Sequence, residues 1–439
     1  MTKRTKDIFI VGFALFAMFF GAGNLIFPPA LGQSAGVELL PAILGFLLTG
    51  VGLPLMGIIA VSKYGGNLEL LASKVHKKFG KFLAVSIILT LGPLVAIPRT
   101  SATTYEMAIL PFFPSFNPVV FSALYFAVVL IFVLKPSSLI DNIGKVLTPI
   151  LLLTMITIII KGVMSPAGSI INTGMGVSFG NGFSEGYQTM DAMGATILGG
   201  IIVGAIRAKG YQKQKDIAAI TVRAGIVAAV GLAVVYGGLA YLGATAGELP
   251  MDISRSQLII VITRNLLGVF GQALLGIAVG MACLTTSIGL TATAGEYFSK
   301  ISNGKLSYKL VAVSTALFSM GISNLGVDRI VAFAAPILLV LYPLIIVLVA
   351  LAFLDPFISH TRVYTGAVFT TLGISILDVL AEFNIALPWV SDLVNRLPLA
   401  EQGFGWVLPA VFAGGVIQII SQNKFLPKKN LKPEEEYSH

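Results

Sequence analysis

Long apolar runs separated by short polar connections dominate this chain. A run of roughly 17 to 25 apolar residues is the length that crosses a bilayer core as a helix. On that measure the pattern predicts twelve spans, over residues 8–32, 38–62, 82–110, 118–134, 146–164, 180–206, 217–243, 266–298, 308–324, 329–354, 363–381 and 404–420. The expected fold class is an all-α integral membrane protein of twelve transmembrane helices. It forms one transmembrane domain over 1–439, ending in a solvated tail over 421–439.

Two of these spans carry residues that a lipid-facing helix does not. The first contains Gly21, Ala22, Gly23 and Asn24, followed by Pro28 and Pro29. At 1.5 Å per residue this lies roughly 20 Å along the span, near the middle of a core about 30 Å thick. The sixth opens on Glu185, Gly186, Tyr187, Gln188, Thr189 and Asp191. Glycine and proline loosen or end a helix, and backbone groups left unsatisfied in hydrocarbon are costly. A Gly-x-Gly stripe also serves as a packing surface between membrane helices, but the prolines and the matched polar cluster favour true interruptions. Amides at the start of one half-helix can then hold a carboxylate, and carbonyls at the end of the other can hold a cation. Five spans over 8–164 and five over 180–354 are each led by an interrupted helix, the arrangement of two inverted repeats. Two extra helices follow over 363–420.

Composition agrees: 56% of residues are hydrophobic and 11% charged, against about 25% charged in an average soluble domain. The net charge of +9 does not call for nucleic acid, because of where it lies. With the N-terminus inside, 23 of the 29 basic residues fall in inner connections, which by the positive-inside rule places both termini in the cytoplasm. The basic start followed by apolar residues has no small-residue cleavage site after a short apolar core, so it reads as a retained first helix. The single Cys283 and the three histidines, His76, His360 and His439, leave no intramembrane metal cluster or catalytic dyad. No phosphate-binding loop of the G-x-x-x-x-G-K-[ST] type is present.

The segments FFGAGNLIFPP (19–29), GPLVAIPRTSATTYE (92–106), GYQTMDA (186–192) and ACLTTSIGLT (282–291) together resemble those of bacterial branched-chain amino acid transporters of the BrnQ type, the LIVCS family. The resemblance runs over nearly the whole chain. It implies the five-plus-five inverted repeat of the bacterial leucine transporter, with helices 1 and 6 discontinuous. It also implies symport of leucine, isoleucine and valine with a coupling cation across the bacterial cytoplasmic membrane, and no enzyme activity. Gly21, Ala22, Gly23 and Asn24 are then expected to meet the substrate carboxylate. Glu185, Gly186, Tyr187, Gln188 and Thr189 are expected to meet its amine. A monomer in the lipid bilayer is expected.

The shared fold further implies a sodium site between the helix 1 break and helix 8, where Ala282, Thr285 and Thr286 are spaced for one helical face and carbonyls near Ala17 and Phe20 would complete it. Neutral oxygens suit a hard cation. The same threonines can instead bond back to carbonyls of their own helix, and a proton is the alternative coupling ion, with Glu185 or Asp191 as its carrier. Arg99 is the deep basic residue, and its burial demands a partner; Glu185 and Asp191 are the expected ones, with Arg99 and Asp191 acting at a gate or as charge partners. Phe20, Phe27, Met190 and Met193 are the expected apolar lining. An ion channel or the transport of another small amino acid are the other readings this sequence admits.

Overall fold

The computed structural model of the chain describes residues 2–135, 152–174, 176, 178–383 and 388–422. Among these the chain is all helical, with no strand. In order the helices are α1 (Lys3–Phe19), α2 (Gly23–Ala35), α3 (Leu39–Leu47), α4 (Leu53–Ser62), α5 (Leu68–Ala72), α6 (Lys77–Leu89), α7 (Ala96–Thr104) and α8 (Pro118–Leu134). They continue as α9 (Leu152–Met164), α10 (Ser178–Tyr187), α11 (Asp191–Ala208), α12 (Gln214–Ala244) and α13 (Arg255–Ile301). The last are α14 (Tyr308–Ser323), α15 (Val327–Leu354), α16 (Arg362–Glu382), α17 (Pro388–Asn395) and α18 (Val407–Gln422). Seven runs among the described residues are long and apolar enough to cross a membrane, and four shorter apolar helices accompany them. Residues 146–151 of the expected fifth span and the tail beyond 422 lie outside the described residues.

Met1–Asn67 and Ala84–Leu339 pack as one compact unit. Inside it the helices sort into two groups by what they touch. In the first, α1 and α2 run along α12, α10 lies on α3, and α11 lies on α4. Glycines make this close. A Cβ on Gly32 would sit 1.8 Å from the carbonyl oxygen of Ala240, one on Gly243 1.9 Å from that of Pro29, and one on Gly182 1.8 Å from that of Ala42. Small residues at such positions are how membrane helices gain packing contacts when lipid already satisfies their apolar surface. In the second group α13 packs on α7, α8 and α14 around Ile97, Phe126, Val129, Ile288 and Ala312.

Helix α13 is longer than the span expected from residue 266. It starts at Arg255 and bends at Gly268, whose φ of 67° and ψ of −165° leave the helical region. The helix that carries Arg99 is also irregular. A π-turn over Thr90–Leu94 holds Gly92 at ψ −119° beside Pro93, and a second π-turn, Tyr105–Ile109, follows α7. Such turns shift the helical register and re-aim the side chains beyond them.

The second compact unit comprises Leu68–Leu83 and the described residues from Val340 onward. There Lys74 Nζ pairs with both carboxylate oxygens of Asp355 at 2.6 and 2.7 Å, and the Tyr364 hydroxyl donates to the same carboxylate at 2.8 Å. Helices α16 and α18 pack so closely that a Cβ on Gly366 would sit 2.2 Å from Ile417 Cδ1.

Candidate functional site

Both expected interruptions exist, each displaced in register. Helix α1 stops at Phe19, Phe20 is extended (φ −81°, ψ 92°), and α2 already begins at Gly23. The irregular residues are thus Phe20, Gly21 and Ala22 rather than Gly21 to Asn24. Two contacts set this register. The Phe20 ring stacks on Phe16 and Tyr236, with centroids 5.3 and 6.3 Å away. Asn24, inside the first turn of α2, accepts the Gly21 N–H with its side-chain oxygen at 3.1 Å. Pro28 and Pro29, expected near the break, lie inside α2. They remove the N–H groups that the carbonyls of Asn24 and Leu25 would accept within the helix.

The second break is Gln188, Thr189 and Met190, so Glu185, Gly186 and Tyr187 are still helical. Met190 takes the left-handed conformation (φ 62°, ψ 11°) immediately before Asp191 opens α11, at a cost of about 1 to 3 kcal/mol for a side chain of its kind. Thr189 secures the turn: its hydroxyl donates to the Gly186 carbonyl at 2.9 Å and accepts the Asp191 N–H at 3.3 Å. Gly186 faces elsewhere. A Cβ there would sit 1.9 Å from the Thr49 hydroxyl, so this glycine serves the contact between α10 and the π-turn Leu48–Gly52 that joins α3 to α4.

Arg99 joins the two breaks. Its Nη1 donates to the Gln188 carbonyl at 2.6 Å, and the guanidinium lies over the Phe27 ring, 5.2 Å from its centroid. A Cβ on Gly23 would sit 2.8 Å from Arg99 Nη2, so glycine lets the cation lie against the start of α2 without being displaced. Arg99 is 4% exposed and Gln188 7%. Arg99 makes this hydrogen bond to a backbone acceptor rather than to the expected Glu185 or Asp191, though its charge still acts on Asp191, and each carboxylate also has other partners. Glu185 Oε1 lies 3.5 Å from Arg255 Nε. Asp191 Oδ2 accepts from Asn24 Nδ2 at 2.6 Å and from the Tyr236 hydroxyl at 3.3 Å, and Asn24 also donates to Tyr236. Asp191 therefore fastens α11 to both α2 and α12.

The polar groups left over are specific. The first N–H groups of a helix have no partner within it, and those of Ala22, Gly23 and Asn24 make no hydrogen bond among the described residues. At the second break the Glu185, Gly186, Tyr187 and Gln188 carbonyls accept from Gln188, Thr189, Met190 and Arg99 respectively. The Gln188 side-chain oxygen Oε1, in contrast, is buried with no hydrogen-bond partner among the described residues. Phe20, Phe27, Met190 and Met193 are all buried around the breaks.

On helix 8, the Thr285 hydroxyl donates to the Ala282 carbonyl at 2.9 Å, the self-bonding geometry of a membrane threonine. Its lone pairs stay available, and with Thr286 it forms a half-buried face of neutral oxygens whose chemistry fits a hard cation. The fully buried stripe of α13 is the neighbouring one, Cys283, Ser287 and Thr291. Ala17 and Phe20 belong to α1 and its end, which pack on α11 and α12, and no hydrogen bond joins them to Thr285 or Thr286 among the described residues.

Tyr236, Arg255 and Asp328, whose Oδ1 accepts from Arg255 Nη1 at 3.2 Å, escaped the sequence reading. Tyr236 sits in an uninterrupted apolar run with nothing to distinguish it. The other two lie at helix starts, Arg255 directly after the cap residue Ser254, the one signal by which Arg255 could have been found.

The family model described as branched-chain amino acid transport protein matches residues 4–424. The branched-chain amino acid permease BraB of Bacillus subtilis is 41% identical over 97% of this chain and 98% of its own length. The branched-chain amino acid transport system 2 carrier protein of Pseudomonas aeruginosa is 38% identical over 93% of this chain and 94% of its own. Among solved structures, Mhp1, a nucleobase-cation-symport-1 family transporter in a closed conformation with bromovinylhydantoin bound, superimposes with a TM-score of 0.63 at 12% identity, over 97% of this chain and 94% of that one. MhsT in complex with L-phenylalanine gives 0.53 at 17% identity, over 94% and 98%. The all-helical fold is thus that of transporters built like the bacterial leucine transporter. The chain belongs to the branched-chain amino acid transport protein family, and it is a transport protein rather than an enzyme.

Proposed function

We propose that the protein imports leucine, isoleucine and valine across the bacterial cytoplasmic membrane by sodium-coupled alternating access, with both termini in the cytoplasm. One observation carries this reading: Arg99 draws together two helix breaks that present free amides on one side and an unpartnered acceptor on the other. The amides of Ala22, Gly23 and Asn24, at the positive end of α2, receive the substrate carboxylate. Gln188 Oε1 receives the ammonium group. Phe20, Phe27, Met190 and Met193 meet the branched side chain. One methylene in such a pocket discriminates by only about 1 to 3 kcal/mol, so the three branched substrates are accepted together.

The names of BraB and the Pseudomonas carrier support the substrate class, and the description of Mhp1 as a cation symporter supports coupling. Thr285, Thr286 and carbonyls at the end of α1 are the residues that would hold sodium, which supplies the gradient that drives uptake. Asp191 supports a second reading. A buried carboxylate that fastens three helices would release its grip on protonation, which would couple transport to protons. Leucine uptake into proteoliposomes, with sodium and proton gradients imposed separately, decides between them. Uptake driven by sodium alone is expected. Uptake driven by a proton gradient in the absence of sodium would transfer the coupling role from Thr285 and Thr286 to Asp191, and failure to take up any branched amino acid would remove the function.

A further inference from the structure

The dipeptide Arg255-Ser256, at the start of α13, ties together helix ends that otherwise belong to different packing groups. Arg255 Nε lies 3.5 Å from Glu185 Oε1 on α10, and its Nη1 donates to Asp328 Oδ1 on α15 at 3.2 Å. Its guanidinium stands 6.0 Å from the centroid of Phe27 on α2, the ring that also bears Arg99. The hydroxyl of Ser256 donates to Glu106, whose other oxygen accepts the Val327 N–H at 2.9 Å. Glu185 and Phe27 each sit about one helical turn from a break. Arg255 thus lies next to the substrate positions on the side at which α13 begins, the outer side in the proposed orientation.

We propose that Arg255-Ser256 is the outer latch of the transporter, holding α10 and α2 against α13 and α15 so that the space between the breaks is closed on that side. The proposal rests on alternating access but not on the identity of the coupling ion. It follows from chemistry as well as position. Arg255 is 33% exposed at its side chain, Asp328 44% and Glu185 24%, so both pairs are partly hydrated and the Asp328 pair is the weaker and more reversible. That suits a latch that must open in every cycle. A planar guanidinium carries donors on separate edges in a rigid fork and reaches two separated carboxylates with defined geometry, whereas an ammonium is a compact point charge. Arg99, fully buried on the backbone of the breaks, is the permanent tie, and Arg255 is the releasable one.

The test uses Gln188→Cys as a reporter in a Cys283→Ser background, reconstituted in oriented vesicles and challenged from the outer side with a membrane-impermeant maleimide. The latch predicts slow labelling of the parent, and acceleration of about 2- to 30-fold by Arg255→Gln, the effect of losing two partly exposed ion pairs. Asp328→Asn should accelerate labelling by less, and Arg255→Lys should fall between parent and Arg255→Gln. Monodisperse elution of each variant establishes that it is folded. Should Arg255→Gln misfold, Asp328→Asn carries the same test. Labelling rates of the folded variants within twofold of the parent would overturn the latch. Wild-type protein that takes up no leucine would instead defeat the proposed function and leave the labelling result standing by itself.

Discussion

At the scale of the residue, Arg99 is the centre of the account. A cation buried in a membrane helix is costly, and the sequence marks Arg99 as one that must be compensated. Its acceptor was not legible, since a backbone carbonyl leaves no trace in side-chain chemistry, whereas Glu185 and Asp191 do. The hydrogen bond to Gln188 is charge-assisted, worth about 1.5 to 3 kcal/mol. Arg99→Lys is therefore expected to lower the initial rate of leucine uptake by about 10- to 150-fold at equal membrane abundance, because a point charge on a flexible stem cannot hold both breaks. Uptake within a factor of two of wild type would show that the guanidinium is only structural filling. Gly23 makes the companion prediction. Gly23→Ala places a methyl 2.8 Å from Arg99 Nη2 and 2.9 Å from Phe27 Cε2, so the guanidinium must shift. A raised KM for leucine with retained thermal stability is expected from uptake kinetics and a detergent melting curve.

At the scale of the element, the interruption of helices 1 and 6 was readable from glycine, proline and polar residues where lipid-facing positions should be apolar. Register was not. Nothing in the identity of Phe20 announces an extended backbone, which its stacking against Phe16 and Tyr236 imposes. Pro28 and Pro29 read as helix-ending and yet sit within α2, which α12 clamps from the side. That clamp is testable. Gly243→Ala puts a Cβ 1.9 Å from the Pro29 carbonyl oxygen, where backbone meets backbone and no side chain can yield, whereas a Cβ on Gly237 meets nothing within 4 Å. Overpacking of this kind costs about 1 to 3 kcal/mol or more. Gly243→Ala should lower the melting temperature in detergent by several degrees, and Gly237→Ala should leave it unchanged or slightly raised. Equal effects would mean that α2 and α12 are not held at this distance.

At the scale of the whole molecule, the apolar periodicity located the helices, and the motifs pointed to the family. The sorting of α1 to α4 and α10 to α12 apart from α7, α8, α13 and α14 was not visible, because it depends on which glycine faces which carbonyl across the interface. Two arginines, Arg99 and Arg255, make polar ties from the second group to the first, and both lie over Phe27. In the proposed function, a site formed by two interrupted backbones between such groups would recognise the ends of an amino acid, while the branched side chain would add only apolar contact. Competition against radiolabelled leucine uptake tests that claim most directly, using isoleucine, 4-methylpentanoate, which lacks the amine, and 3-methylbutylamine, which lacks the carboxylate. Isoleucine should compete nearly as well as leucine, and each single-ended analogue should be weaker by about 10- to 150-fold, the loss of one charged hydrogen-bonding group. Competition by either analogue at the strength of leucine itself would contradict recognition of the zwitterion by the two breaks.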